Sequence, residues 1–355
     1  MPSLHLRPVQ FVDSPIGHDG EVARLAGGML WFAAYEVIEG GARRTISVAE
    51  FEAGLGKQDK RAAALHAHIT APRASLTLGA RTLRFDQPHA VGILNVTPDS
   101  FSDGGKQPDD PQAAADSGFD MMTAGASLID VGGESTRPNA PLVWEGDEAK
   151  RVVPVIERLV KSGAAVSVDT RKASVMEAAL AAGAHLVNDV SALLWDDRAA
   201  EMVAKAGCPL ILMHSPDPKK GPHGGKGYKH VLTEVFDWLA ARIDAAVVAG
   251  VERTRIVADP GIGFGKSLQD NLALLNGLAL FHGLGVPLML GASRKRMIGA
   301  LSNEAPVDQR LGGSIALAMK GLEAGVQLLR VHDVPETVQA IRVWRGLRDQ
   351  ALVGR

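Results

Sequence analysis

The sequence is poor in cysteine: among 355 residues there is one, Cys208. No internal disulfide can form, which fits a reducing compartment, and a cytoplasmic location is expected. Cys208 precedes Pro209 at the start of an apolar run, so it reads as core rather than as a reactive thiol. The chain also lacks an excess of either charge. Its 38 Lys and Arg against 40 Asp and Glu leave a formal net charge of −2. With no basic field, nucleic acid is not expected as a partner. No stretch approaches the roughly 20 apolar residues of a membrane span, so no membrane partner is expected either. The opening "MPSLHLRPVQFVDSP" has no basic start followed by an apolar segment and does not read as a secretory signal. Heptads, short repeats and low-complexity tracts are missing too.

What the chain does have is apolar content, 46% of its residues, enough for a sizeable core. Its length suggests one large domain plus an appendage. From Val91 onward short apolar runs recur: Val91–Leu94, Ser127–Val131, Ala165–Val168, His185–Val187, Pro209–Met213, Arg255–Ala258, Pro287–Leu290 and Gln327–Val331. Between them lie Ala-rich, helix-like segments such as "KASVMEAALAAGA" and "DQRLGGSIALAMKGLEAGV". Several end in Gly followed by Ala or Val, a helix stop that leads straight into the next strand. Apolar runs without alternation suggest strands buried on both faces of a parallel sheet. Eight such strands, each followed by a helix, predict an α/β fold, the (β/α)8 or TIM barrel, over residues 89–350. A doubly wound open sheet is the alternative. It would place a G-x-G-x-x-G turn after its first strand, and "NVTPDSFSDGG" is not that turn.

Ahead of the barrel, "ASLTLGARTLRF" (74–85) reads as a β-hairpin cap around Gly79-Ala80. Residues 1–73 read as a small α+β extension of unassigned role, with two strands joined at Gly40-Gly41 and a helix in "GKQDKRAAALHAHI". Pro72 marks a plausible boundary, giving an extension over 1–73 and a barrel unit over 74–355. The extension carries Leu30, Trp31, Phe32, Tyr35, Val37 and Ile38, so it is expected to fold or dock rather than trail as a disordered tail.

In a barrel of this kind the chemistry sits where strands end. Those ends read Asn95, "GGESTRP", Asp169, Asn188-Asp189, Met213-His214, Asp259, "SRK" and "RVHD". Each polar group alone could be a helix cap. A full rim of them is hard to explain as capping. Arg137, Lys295, Arg330 and His332 can supply positive charge and N–H donors for an anionic substrate. Asp169, Asn188 and Asp259 can read a flat heterocycle with mixed donors and acceptors.

These residues carry a resemblance. "GILNVTPDSFSDGG", "IDVGGESTRP", "SVDT", "VND", "MH", "DPGIGFGK", "GASRK" and "RVHDV" occur in the order found in dihydropteroate synthases, from about Ser75 to the C-terminal helix. The chain thus resembles the family that condenses 6-hydroxymethyl-7,8-dihydropterin pyrophosphate with p-aminobenzoate in folate synthesis. By that resemblance Asp169, Asn188, Asp259 and Lys295 would hold the pterin, with Met213 and Phe264 packed on it. Asn95, Arg330 and His332 would meet the pyrophosphate, with Asn95 also a ligand of Mg2+. One side-chain oxygen can suffice for a hard cation that keeps its waters. Phe101, on a lid after Asn95, would shape the aminobenzoate pocket with Arg137, Pro138, Phe264, Ser293 and Lys295, and Thr136 would contact either the pterin phosphate or p-aminobenzoate. Asn95, Lys295, Arg330 and His332 would be the catalytic set. The resemblance further implies a homodimer through the last helices.

Two stretches depart from the family pattern. After Met213-His214 many members read "MQG", whereas this chain reads "SPDPKKGPHGGKGYKH". Residues 1–73 have no counterpart in a minimal member. Two rival readings remain: a pterin-binding methyltransferase barrel, and a catalytically silent paralogue that acts as a binding protein. The first has no need of the "TPDSF" lid, and the second predicts a lost site residue.

Overall fold

A computed structural model describes residues 4–55, 59–97, 110–135, 140–217, 219 and 227–353. Its first elements form a layer of their own. Strands β1 (Leu4–Val12), β2 (Ala23–Arg24), β3 (Trp31–Glu39) and β4 (Ala42–Ser47) make an antiparallel sheet with β3 at its centre. The β3–β4 turn falls at Gly40-Gly41, both at positive φ. Helices α1 (Val48–Ala53) and α2 (Lys60–Thr70) follow. Ser47 and Glu50 form a reciprocal capping box at the start of α1, which satisfies two otherwise open backbone donors. Next come β5 (Leu76–Leu78) and β6 (Arg81–Leu83), an antiparallel hairpin.

The barrel strands are β7 (His89–Asn95), β8 (Leu128–Gly132), β9 (Val166–Asp169), β10 (Leu186–Asp189), β11 (Leu210–Met213), β12 (Ile256–Asp259), β13 (Met289–Leu290) and β14 (Leu328–Val331). Each lies within two residues of its apolar run in the sequence. Between them run α3 (Pro111–Ala124), α4 (Glu145–Lys161), α5 (Ala173–Ala181), α6 (Ala199–Ala206), α7 (Val231–Val248), α8 (Leu268–Asn276), α9 (Arg296–Leu301), α10 (Leu311–Glu323) and finally α11 (Val334–Val353). A 3-10 segment, Leu278–Leu284, joins α8 to β13. The eight strands pair side by side, parallel throughout. The seam between β12 and β13 closes through one bridge, Ala258 to Leu288, with Ala258 N–H donating to Pro287 O at 2.9 Å. β13 is short because Pro287 has no N–H to give. The Gln327 side chain helps there by accepting the Leu288 N–H at 2.8 Å.

The hairpin plugs the bottom of the barrel. Leu76, Leu78, Leu83 and Phe85 form one buried cluster with Val91, Leu128, Ala165, Leu186, Ile211, Val257, Met289 and Leu328, which lie at or near the N-terminal ends of the eight strands. That leaves the C-terminal mouth for chemistry.

The extension shares its core with the barrel. Leu6, Phe32, Tyr35, Phe51 and Ile69 belong to the same hydrophobic cluster as Phe236, Phe281, Leu322 and Ile341. Polar ties reinforce the seam. His5 Nε2 lies 2.9 Å from Asp237 Oδ1, and Arg73 donates to His282 O at 3.0 Å. Arg348 on α11 donates to Met29 O and Val12 O and pairs with Asp13. Gly325 meets Leu25 across this seam at φ +78°, and a Cβ there would come within 2.5 Å of the leucine. Only glycine serves both demands.

Candidate active site

Four neighbouring strands bring their ends to one level. Asn95 pairs in register with Gly132, Gly132 with Asp169, and Asp169 with Asn188. Gly132 makes room: a methyl there would lie 3.6 Å from Asn95 Oδ1 and 3.5 Å from Asp169 Cβ, so the two side chains flank the glycine. Across the barrel Met213 pairs with Asp259. Arg330 sits one residue short of the end of β14, so its guanidinium reaches into the barrel top.

That guanidinium joins two carboxylates. Arg330 Nε donates to Asp130 Oδ2 at 2.6 Å and Nη2 donates to Asp169 Oδ2 at 2.6 Å. Burial opposes its charge, but Asp130 and Asp169 outweigh burial and raise its pKa. Burial likewise pushes the Asp169 carboxyl up to about 7, against the pull of Arg330. Asp130 also accepts from Ser167 Oγ at 2.6 Å and from Asn188 Nδ2 at 2.9 Å. The reading of strand ends passed over Asp130, which lies mid-strand. The available signal was a lone carboxylate inside the apolar run "LIDVG". Asn188 Oδ1 is buried and has no hydrogen-bond partner among the described residues.

On the opposite wall Asp259 accepts the Gly261 N–H at 2.7 Å, and burial raises its carboxyl pKa, with Lys295 pulling the other way. Lys295 Nζ donates to Ile262 O and lies 4.2 Å from the centre of the Phe264 ring. Gly263 lets the lysine stem pass: it sits at φ +83°, and a Cβ would come 2.7 Å from Lys295 Cδ. Burial brings the Lys295 ammonium down to about 8. Ser293 Oγ accepts the His332 N–H at 3.2 Å and lies 3.0 Å from His332 Nδ1, fixing that ring. Burial, then Arg330 and Arg294, push His332 down to about 4, which favours the neutral imidazole.

Other strand-end groups turn out to brace loops. Asp189 accepts from Ser191 N, Ser191 Oγ and Leu193 N, capping a turn in which Ala192 and Leu193 have positive φ. Lys266 Nζ lies 2.9 Å from His214 Nδ1 and donates to Gly261 O and Phe264 O, tying down the loop after β12. Below "GGESTRP" is a buried ionic knot. Glu134 accepts from Arg171, Lys172 and the Val143 N–H, while Lys172 also donates to Glu148 and to Val143 O. Arg171 stacks on Trp195 at 3.8 Å. The knot therefore joins the outgoing stem at Glu134 to the returning stem at Val143.

Phe101, Thr136, Arg137 and Pro138 lie outside the described residues, as do 218 and 220–226 of the unusual loop. Among the described residues, no group of three or more His, Cys, Asp or Glu could hold a metal ion. Asn95 offers one neutral oxygen at the mouth. That suits a cation such as Mg2+, which keeps most of its waters and takes its other ligands from substrate phosphates.

Such a mouth sets carboxylate and amide acceptors on one side and cationic donors near them, at the C-terminal end of a (β/α)8 barrel. The family described as pterin binding enzyme matches residues 91–332, nearly the whole barrel. A dihydropteroate synthase of Escherichia coli is 43% identical over 263 residues, covering 74% of this chain and 92% of that protein. A structure of the Xanthomonas albilineans dihydropteroate synthase with 4-aminobenzoic acid matches at 46% identity and a TM-score of 0.73, covering 77% of this chain and 98% of that one. The same enzyme in complex with 7,8-dihydropteroate matches at 44% identity and a TM-score of 0.70, covering 78% and 99%. The chain belongs to the dihydropteroate synthase family.

Proposed function

We propose that the chain condenses 6-hydroxymethyl-7,8-dihydropterin pyrophosphate with p-aminobenzoate, giving 7,8-dihydropteroate and pyrophosphate, as a transferase of folate biosynthesis. The observation that carries this reading is the buried Asn188 Oδ1, in register beside Asp169 and without a hydrogen-bond partner among the described residues, which asks for an N–H donor from a ligand. Asp169, Asn188 and Asp259 accept from the pterin, and Lys295 donates to its ring carbonyl or N5. Met213 and Phe264 pack on the bicycle.

Asn95, Arg330 and His332 face the pyrophosphate. His332 arrives neutral and serves first as a donor. Its pKa rises when an anion replaces solvent beside it. Mg2+ bound at Asn95 would supply further positive charge to the leaving group. The bond from the exocyclic methylene to the pyrophosphate oxygen breaks, and the electron-rich dihydropterin bears the developing positive charge. The arylamine nitrogen then bonds that carbon and releases a proton. The protein contributes leaving-group stabilisation and alignment of two substrates. No strong base is needed, because the arylamine is neutral at pH 7. Phe101, Thr136, Arg137, Pro138 and Ser293 shape the aminobenzoate pocket.

The test is pyrophosphate release from the pterin ester with and without p-aminobenzoate. Release only when both are present is expected. Binding of the ester with no release under either condition would favour the silent paralogue. A homodimer through α10 belongs to the same proposal, and light scattering that gives a monomer at micromolar concentration would refute it.

A further inference from the structure

Among the described residues three side chains donate to Asp130: the Ser167 hydroxyl, the Asn188 amide and the Arg330 guanidinium. A carboxylate has no N–H to offer. The Asn188 amide must therefore turn its NH2 toward Asp130, and its oxygen is left facing away, buried and unpartnered. An amide alone can present either end to a ligand. Here a residue behind it has made the choice. Arg330 is treated in the same way: Asp130 takes its Nε and Asp169 its Nη2, so the guanidinium plane is held before any substrate arrives.

We propose that Asp130 is a positioning residue that sets the hydrogen-bonding polarity of the pocket: through Asn188 it makes the pocket demand an N–H donor from the ligand, and through Arg330 it aims the pyrophosphate end. The inference rests on the pterin reading above. Asp130 need not touch the substrate. It binds the two side chains that do, and it couples the ring end of the site to the phosphate end.

The experiment uses the full chain carrying Arg330→Met, so that removing Asp130 leaves no unpaired guanidinium; Asp169 loses the same partner in all four proteins, and that cost cancels in the comparison. Free 6-hydroxymethyl-7,8-dihydropterin is titrated by calorimetry into this protein, into it with Asp130→Ala, with Asn188→Ala, and with both. Thermal melts confirm that each is folded. Each added substitution alone should weaken binding by about tenfold, the loss of one buried hydrogen bond. Together they should also weaken it by only about tenfold, because an amide no longer aimed has little left to lose. A purely structural Asp130 would give losses that multiply, and an irrelevant one would give a loss under about twofold. Either result overturns the proposal while leaving the pterin reading intact. If the unmodified chain binds no pterin at all, that reading fails and the proposal falls with it. Restoring Arg330 and testing Asp130→Asn adds a second check. Its amide oxygen can still accept from Asn188 if its NH2 turns to Ser167, so free-pterin affinity should stay within about threefold of the original.

Discussion

Replacing Lys172 by methionine tests the ionic knot beneath the loop that begins at Glu134. Lys172 is nearly buried and has three acceptors: Glu134 at 3.0 Å, Val143 O at 2.8 Å and Glu148. Removing the ammonium affects these partners unequally. Glu134 keeps Arg171 and the Val143 N–H. Glu148 is fully buried, and among the described residues its Oε1 has no hydrogen-bond partner while Lys172 is the partner of its Oε2. A buried charge left in this way costs about 3–5 kcal/mol, a large share of the roughly 5–15 kcal/mol that holds a protein folded. At a couple of degrees per kcal/mol for a large domain, Lys172→Met should lower the melting temperature by roughly 5–10 °C in thermal unfolding followed by circular dichroism. Adding Glu148→Gln should return most of that loss. The stems keep the bond from the Val143 N–H to Glu134 but lose the tie through Lys172, so KM for p-aminobenzoate should rise while free-pterin affinity holds. Acid should imitate the substitution only weakly. Burial pushes Glu134 upward, but the Val143 N–H, Lys172 and Arg171 outweigh it and leave its pKa below the ordinary value. Its contribution is therefore full above the ordinary glutamate pKa and is lost only as pH falls through the lowered one. An unchanged melting temperature in Lys172→Met, or a double variant as unstable as the single, would refute this account of the knot.

Three further outcomes are expected. Asp259→Ala should abolish binding of free pterin, whereas Arg330→Ala should spare free pterin but weaken its pyrophosphate ester and slow turnover; equal losses of free pterin by calorimetry would contradict the division. Lys295, held to about 8 by burial, donates as an ammonium below that pH and loses its proton above it, so pterin affinity should fall between pH 8 and 9 and the Lys295→Met profile should be flat there. Truncation before Ala74 leaves every proposed site residue in place but uncovers the apolar face under Phe236 and Phe281, at about 25 cal/mol per Å2; the shortened chain should melt well below the full one or go insoluble, and a melting temperature equal to that of the full chain would argue against a shared core.

The barrel was legible because parallel strands buried on both faces leave short apolar runs that recur between helix-like segments. The site was legible where polar residues end those runs, as at Asn95, Asp169 and Asp259. Three features were not. β1, "LHLRPVQFV", hides its strand behind Pro8, Arg7 and Gln10, and it is an edge strand, where a proline is tolerated. The knot joins Glu134 to Lys172 across 38 residues, a contact that no local pattern announces. The charge of His332 depends on how deeply the fold buries it beside two guanidinium groups, and sequence order carries no measure of depth.

The seam between extension and barrel also sets an order of events during synthesis. The extension leaves the ribosome before the barrel, and the surfaces that cover it come later: α7 with Phe236, the segment Leu278–Leu284, then α10 and α11. Arg348 reaches back across 319 residues to the Met29 carbonyl. At about 5–20 residues per second, that carbonyl waits roughly 15–60 s for its partner. Until those elements are made, the apolar side that Phe32, Tyr35 and Phe51 share with the barrel has no barrel surface to pack on. A ribosome stalled before Val231 would therefore hold an extension without any of these covers.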